Sequence, residues 1–266
     1  MGTSASSKGP GAGVSLDPAW LDDIDIPNQN SSPDDMPEEK KPIIAPAARF
    51  GKARRGMGEY VRTGSKEALR KSLGHYSKVG MGGSHNLAQR MRTSSKVATG
   101  FVRTLSSLRE EGDFELGRII SDLKKNGANA NQIIDTIVEH VCPHGGSIDE
   151  ISTRDSGRAA LSEFMDNNPD ANIAKLTDDQ IWTLTGLFLG NEVFTRVQFD
   201  IGQAFEKQNV SYVERVNRLN EMREYIQSEI STQLNAQRNI ENQTMDMEKL
   251  FEKTIQNTFE VYEVEV

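Results

Sequence analysis

The stretch from Ile181 to Phe205 constrains this chain more than any other. Read as a helix, it spreads Trp182, Leu184, Leu187, Phe188, Leu189, Phe194, Val197, Phe199 and Phe205 over almost every side. A helix that is apolar all round has no face to offer water, so it belongs at a domain centre. Helices packed around it need an apolar stripe on one face only. Val213, Val216, Leu219, Met222, Ile226 and Ile230 trace such a stripe. Met247, Leu250, Phe251, Ile255 and Phe259 trace another near the C-terminus.

Start and stop signals divide the rest of this region into further helices. Asp113 precedes the periodic Phe114, Leu116, Ile119, Ile120 and Leu123, and Asn126-Gly127 supplies a stop. Asn129 and Gln132 form a capping pair before Ile133, Ile134, Ile137, Val138 and Val141, and Pro143 ends that helix. Ser147 with Glu150, Thr177 with Gln180, and Ser211 with Glu214 have capping-box spacing. The acid–apolar alternation of residues 261–266 predicts a short extended strand or a frayed end. Residues 113–266 therefore read as an acidic all-helical domain, with no internal repeat and no βαβ pattern. The fold class expected is mainly α, a multi-helix bundle-like domain.

Charge divides the chain differently. Residues 1–46 hold 3 Lys/Arg and 8 Asp/Glu, residues 47–104 hold 13 and 2, and residues 105–266 hold 15 and 29. A basic block thus lies between two acidic ones. Residues 47–110 read as a basic helical segment. Ser65 caps a helix with Ala68, Leu69, Leu73 and Tyr76 on one face, and Gly80-Met81-Gly82-Gly83 breaks it. Ser84 caps a second helix carrying Leu87, Met91, Phe101, Leu105 and Leu108, with fraying expected around residues 93–95 and at Gly100.

Residues 1–46 contain seven of the nine prolines and six serines. Proline at this density blocks helix, and too few apolar side chains offset the ordering entropy, which predicts a disordered tail. Trp20, Leu21 and Ile24 stand out among its aspartates. Two readings fit them: a peptide that docks on a partner, or a patch that packs on the chain's own body.

The inventory for catalysis is poor, and the chain is read as a non-enzyme with no metal and no resident cofactor. His140, Cys142 and His144 offer metal-ligand types, but Pro143 interrupts them and no second ligand pair has zinc-like spacing. The turn at Gly80–Gly83 precedes a helix but lacks the Lys-Ser/Thr pair of a phosphate-binding loop. A lone cysteine fits a reducing, cytoplasmic setting. No apolar run approaches the roughly 20 residues needed to cross a bilayer, and the start of the chain does not read as a secretory signal. In the basic block, Arg49, Arg54, Arg55, Arg90 and Arg92 can contact nucleic-acid phosphates, with Phe50, Tyr60 and Tyr76 interleaved for stacking; an acidic partner, or the chain's own acidic domain, satisfies them equally.

Several segments together carry a family resemblance. They are Met1 to Gly11, Leu16-Asp17-Pro18-Ala19-Trp20, Ala48-Arg49-Phe50-Gly51-Lys52-Ala53-Arg54-Arg55, Leu73-Gly74-His75-Tyr76-Ser77 and Gly80-Met81-Gly82-Gly83. Ile181-Trp182-Thr183-Leu184 and Val261-Tyr262-Glu263 extend the likeness. The chain resembles the QatB component of Qat anti-phage defence systems. The resemblance implies three companions: a P-loop ATPase (QatA), a QueC-like enzyme (QatC) and a TatD-like nuclease (QatD). It further implies that the QueC-like partner joins a deazaguanine to an N-terminal glycine. On this sequence the acceptor is the amine of Gly2, carrying a 7-amido-7-deazaguanine, and Thr3 and Ser4 follow it into the partner's cleft.

Overall fold

The computed structural model describes residues 46–110, 114–142, 145–240 and 246–266. Among them are eleven α-helices and no strand: α1 Gly51–Thr63, α2 Lys66–His75, α3 Ser84–Arg90, α4 Arg92–Arg109, α5 Phe114–Lys125, α6 Ala130–Val141, α7 Ile148–Asn167, α8 Asp178–Ile201, α9 Gln203–Glu206, α10 Tyr212–Ile240 and α11 Met247–Glu263. A π-helical turn at Tyr76–Met81 links α2 to α3. The mainly α expectation holds. The predicted disordered tail falls outside the described residues, apart from Pro46.

The all-round apolar helix is α8, and α4, α7 and α10 pack around it. Leu184, Phe188, Leu189, Val193 and Val197 are each 1% exposed or less. From α10, Met222, Ile226, Ile230 and Leu234 complete this layer, whereas Val213 is 67% exposed and lies outside it. Helix α11 packs across α2, α3, α4 and α10. The core is continuous from Phe50 to Tyr262, so helices of the basic and acidic segments share it. Phe50 stacks on Tyr76 with ring centroids 5.7 Å apart, and Tyr76 meets Phe259 at 6.1 Å.

Most caps form as the sequence implies. Ser65 accepts a hydrogen bond from the Ala68 amide. Reciprocal capping boxes form at Asn129 and Gln132, at Ser147 and Glu150, and at Thr177 and Gln180. Gly127, at φ 75°, ends α5. The amides of Gly127 and Ala128 donate back to the carbonyls of Lys124 and Leu123, the pairing that closes a left-handed helix end.

Three local expectations are corrected. The break in the basic segment falls at Met91, and α4 runs unbroken through Gly100. Its glycine lets Val141 approach: a Cβ at residue 100 would stand 3.0 Å from Val141 Cγ1. Ser84 is not a cap; Gly83, at φ 109°, occupies that position, and Ser84 is buried. Residues 261–263 continue α11 rather than forming a strand, because Tyr262 is fully buried against Phe259 and Tyr225.

Candidate functional site

One stripe of α8 departs from its apolar character. Glu192, Arg196 and Asp200 recur at four-residue intervals and so share a face, with Thr195 and Phe199 beside them. This face meets the α3–α4 junction and the first turns of α7. A cleft of about 230 Å³ lies there, lined by Arg90, Met91, Ser94, Asp149, Ile151, Ser152, Glu192, Arg196 and Phe199 among others.

Its floor is a buried carboxylate. Glu192 is 4% exposed. It accepts hydrogen bonds from the hydroxyls of Ser94 at 2.6 Å and Ser152 at 2.9 Å. Burial pushes its pKa upward, and the hydroxyls of Ser94, Ser156 and Ser152 oppose that shift.

Two turns further along α8 a second buried group collects cations. Asp200 accepts a hydrogen bond from the Tyr76 hydroxyl at 2.9 Å and pairs with Arg196 at 3.7 Å. Arg196 also donates to Asp149 at 2.8 Å. Arg54 donates to the backbone carbonyl of Asp200 at 2.9 Å. Arg49 and Arg90 bring further positive charge to Asp200. Burial still holds the Asp200 carboxyl above the usual range, against these cations. Arg49 lies 4.5 Å over the Phe50 ring, and burial, reinforced by Arg90, lowers its pKa.

The structure sorts the sequence-derived candidates. Arg49, Arg54 and Arg90 converge on Asp200. Arg92 turns away and pairs with Glu248 of α11 at 2.8 Å. Arg55 is exposed on α1, on one face with Lys52, Glu59 and Arg62, and Lys66 at the start of α2 is exposed as well. Gly2, Thr3, Ser4, Trp20, Leu21 and Ile24 lie outside the described residues, as do Pro143 and His144. Cys142 is 3% exposed, with its thiol 3.7 Å from the Thr153 carbonyl it faces, and burial pushes its pKa up to about 12. A thiol so held is protonated at neutral pH and a poor nucleophile. Among the described residues no group of three or more His, Cys, Asp and Glu is placed to hold a metal ion. No described helix is long and apolar enough to cross a membrane. At the glycine turn, the Gly83 amide is spent on the Ser77 carbonyl at 2.9 Å.

Sequence reading missed Glu192, Asp200 and their serines. The available signal was the charged stripe at four-residue spacing inside an otherwise apolar helix. Its partners come from segments 40 to 124 residues away, which no local pattern reveals.

A family model described as Qat anti-phage system associated protein QatB matches residues 82–262. No curated protein and no solved structure matches the chain. The family match covers well over half of the sequence, and the chain belongs to that family.

Proposed function

We propose that this QatB-family component of an anti-phage system is a non-enzymatic substrate and scaffold. Its reactive group is the α-amine of Gly2, exposed when Met1 is removed. A QueC-like partner supplies a deazaguanine bearing an activated carboxyl. The amine attacks the carboxyl carbon, the activating group leaves, the amine gives up a proton, and an amide remains on Gly2. Glycine suits this step because no side chain obstructs the attacking nitrogen, and Thr3 and Ser4 are small enough to follow it into a narrow cleft. The catalytic groups belong to the partner, so the chain itself needs no cofactor. The ATPase and the TatD-like nuclease are the other companions, and the setting is the cytoplasm.

Family membership, joined to the glycine start of the sequence, carries this reading. The test is intact-mass measurement of the protein coexpressed with its companions. A mass increase confined to the N-terminal peptide is expected, and lost when Gly2 is replaced by a bulky residue. An unmodified Gly2 in cells that are actively defended would sink the conjugation.

A second reading rests on the exposed stripe of Lys52, Arg55 and Arg62 on α1, with the exposed Lys66 opening α2. Lys52, Arg55 and Arg62 share one exposed face of α1 with a single acid, Glu59, among them, and Lys52 and Lys78 together hold the nearby His75 pKa down after burial. Such a stripe suits a polyanion. Gel shifts at rising salt distinguish the readings. Charge reversal at Lys52, Arg55, Arg62 and Lys66 abolishes nucleic-acid binding if the stripe is the contact. Arg54, Arg90 and Arg92 are poor choices for that experiment because each is tied to the fold.

A further inference from the structure

Residues 263–266 lie along α2 and the π-helical turn, held there by polar contacts. Glu265 forms an ion pair with Arg70. Glu263 accepts a hydrogen bond from the Ser77 hydroxyl at 2.5 Å. Lys78 donates to the Val266 carbonyl oxygen at 2.5 Å and to that of Glu263 at 3.4 Å. Gly74 lies among these groups, and a Cβ there would stand 2.9 Å from Val266 Cγ2, so a bare backbone is what admits the segment this closely. Little apolar burial holds it beyond Tyr262. Val264 is 86% exposed, and the Arg70 and Glu265 side chains are 40% and 26% exposed. Ion pairs this open to water contribute little, and salt weakens them further.

The segment borders the basic face of α1. Lys71 is near both Glu59 of α1 and Glu265, and His75 is near both Lys52 and Lys78. Apart from Arg54, which is tied to the Asp200 carbonyl, α1, α2 and the π-helical turn carry seven exposed or half-exposed Lys and Arg against two acids, Glu59 and Glu67, a surplus of five. Glu263 and Glu265 lower that surplus to three. We infer that residues 263–266 are an autoinhibitory strap, an acidic stand-in for a nucleic-acid strand, which must lift them to engage Arg70, Ser77 and Lys78. The inference rests on the reading of this face as a nucleic-acid contact. Phosphate oxygens accept from the same donors that the two carboxylates now occupy. Strap and strand therefore exclude one another there, and each weakens the other by the same factor. Lifting the strap leaves the core intact, because Tyr262 stays buried behind it.

A nitroxide attached to Val264→Cys in the full-length protein reports on the strap, since Val264 is exposed and Cys142, the other thiol, is buried. Its spectrum should show restricted motion in the free protein and sharpen when single-stranded oligothymidylate is added at low salt. Paired Glu263→Gln and Glu265→Gln should tighten oligothymidylate binding several-fold by fluorescence anisotropy, with the melting temperature kept. Paired Lys52→Glu and Arg55→Glu should abolish binding whether or not the strap carries its glutamates. Three results overturn the inference. A nitroxide already moving freely in the free protein means that nothing is strapped down. Equal binding by the unaltered protein and the glutamine variant, with the nitroxide spectrum unchanged, removes the strap and leaves the basic face as a nucleic-acid contact. Binding by neither protein removes the strap and that contact together.

Discussion

Burying Glu192 makes stability depend on pH in the direction opposite to a surface ion pair. Its folded pKa is raised, chiefly by burial. The folded protein therefore keeps the proton at pH values where the unfolded chain has released it. Stability from this group is full below the unfolded value and declines as pH rises through the folded one. Glu192→Gln keeps the shape and removes the titration. Its melting temperature relative to the unaltered protein should climb steadily from acid to neutral pH; a constant difference would refute the assignment. Cys142 gives a second residue-scale prediction. A thiol pushed up to about 12 and 3% exposed should resist iodoacetamide at neutral pH until the protein unfolds. Labelling that outpaces unfolding would mean an accessible thiolate. These residues also mark where sequence reading stops. The stripe of Glu192, Arg196 and Asp200 was visible, but whether it faced water or a buried network depended on Ser94, Ser152 and Tyr76, which only tertiary packing brings near.

At the scale of elements, the helices whose ends carry side-chain caps were the legible ones. Thr177 and Gln180 satisfy orphan donors at the start of α8, so the pattern is local and the sequence shows it. Thr177→Ala should cost about 1 kcal/mol in denaturant unfolding, with a cost near zero arguing against the cap. Elements shaped by distant packing were not legible. The end of α11 reads as an alternating strand, yet burying Tyr262 keeps it helical. The close approach of α8 to α10 is equally silent in the sequence until Gly190 is seen beside Gln227. A Cβ at residue 190 would lie 2.7 Å from Gln227 Cγ and 2.8 Å from its Cα. Backbone cannot yield as a side-chain tip can, so Gly190→Ala forces the two helices apart. The expected loss is about 1–3 kcal/mol. It should also disturb the hydrogen bonds from Gln227 to Glu163 and Asn191. An unchanged stability would show that α10 can slide freely.

The whole molecule raises a question that charge and packing answer differently. Charge separates residues 47–104 from the rest, and the family match begins only at residue 82. The core ignores both boundaries. Phe50, Met57, Tyr60, Leu69, Leu73 and Tyr76 all lie before residue 82 and are 2% exposed or less. Helix α2 packs on α11 so closely that a Cβ at Gly74 would collide with the Tyr262 carbonyl. Tyr76 holds the Asp200 carboxylate and lies against Phe259. Removing residues 1–81 would therefore bare Phe259 and Tyr262 and leave Asp200 without its hydroxyl. An apolar face of that kind favours aggregation. A fragment of residues 82–266 should bind a hydrophobic dye and melt without a sharp transition, whereas residues 46–266 should melt cooperatively, close to the full chain. A cooperative 82–266 fragment with an unaltered melting temperature would show that the basic helices are an appendage to the acidic body. The contrary outcome makes the basic helices α1 and α2 part of the scaffold, and Arg70 with Glu265 one of the ties that orient them. Such a pair, partly exposed, contributes at most about 1 kcal/mol. Apolar burial between α2 and α11, rather than attraction between the two charged blocks, is then what joins them, and raised salt should leave the melting temperature of residues 46–266 nearly unchanged.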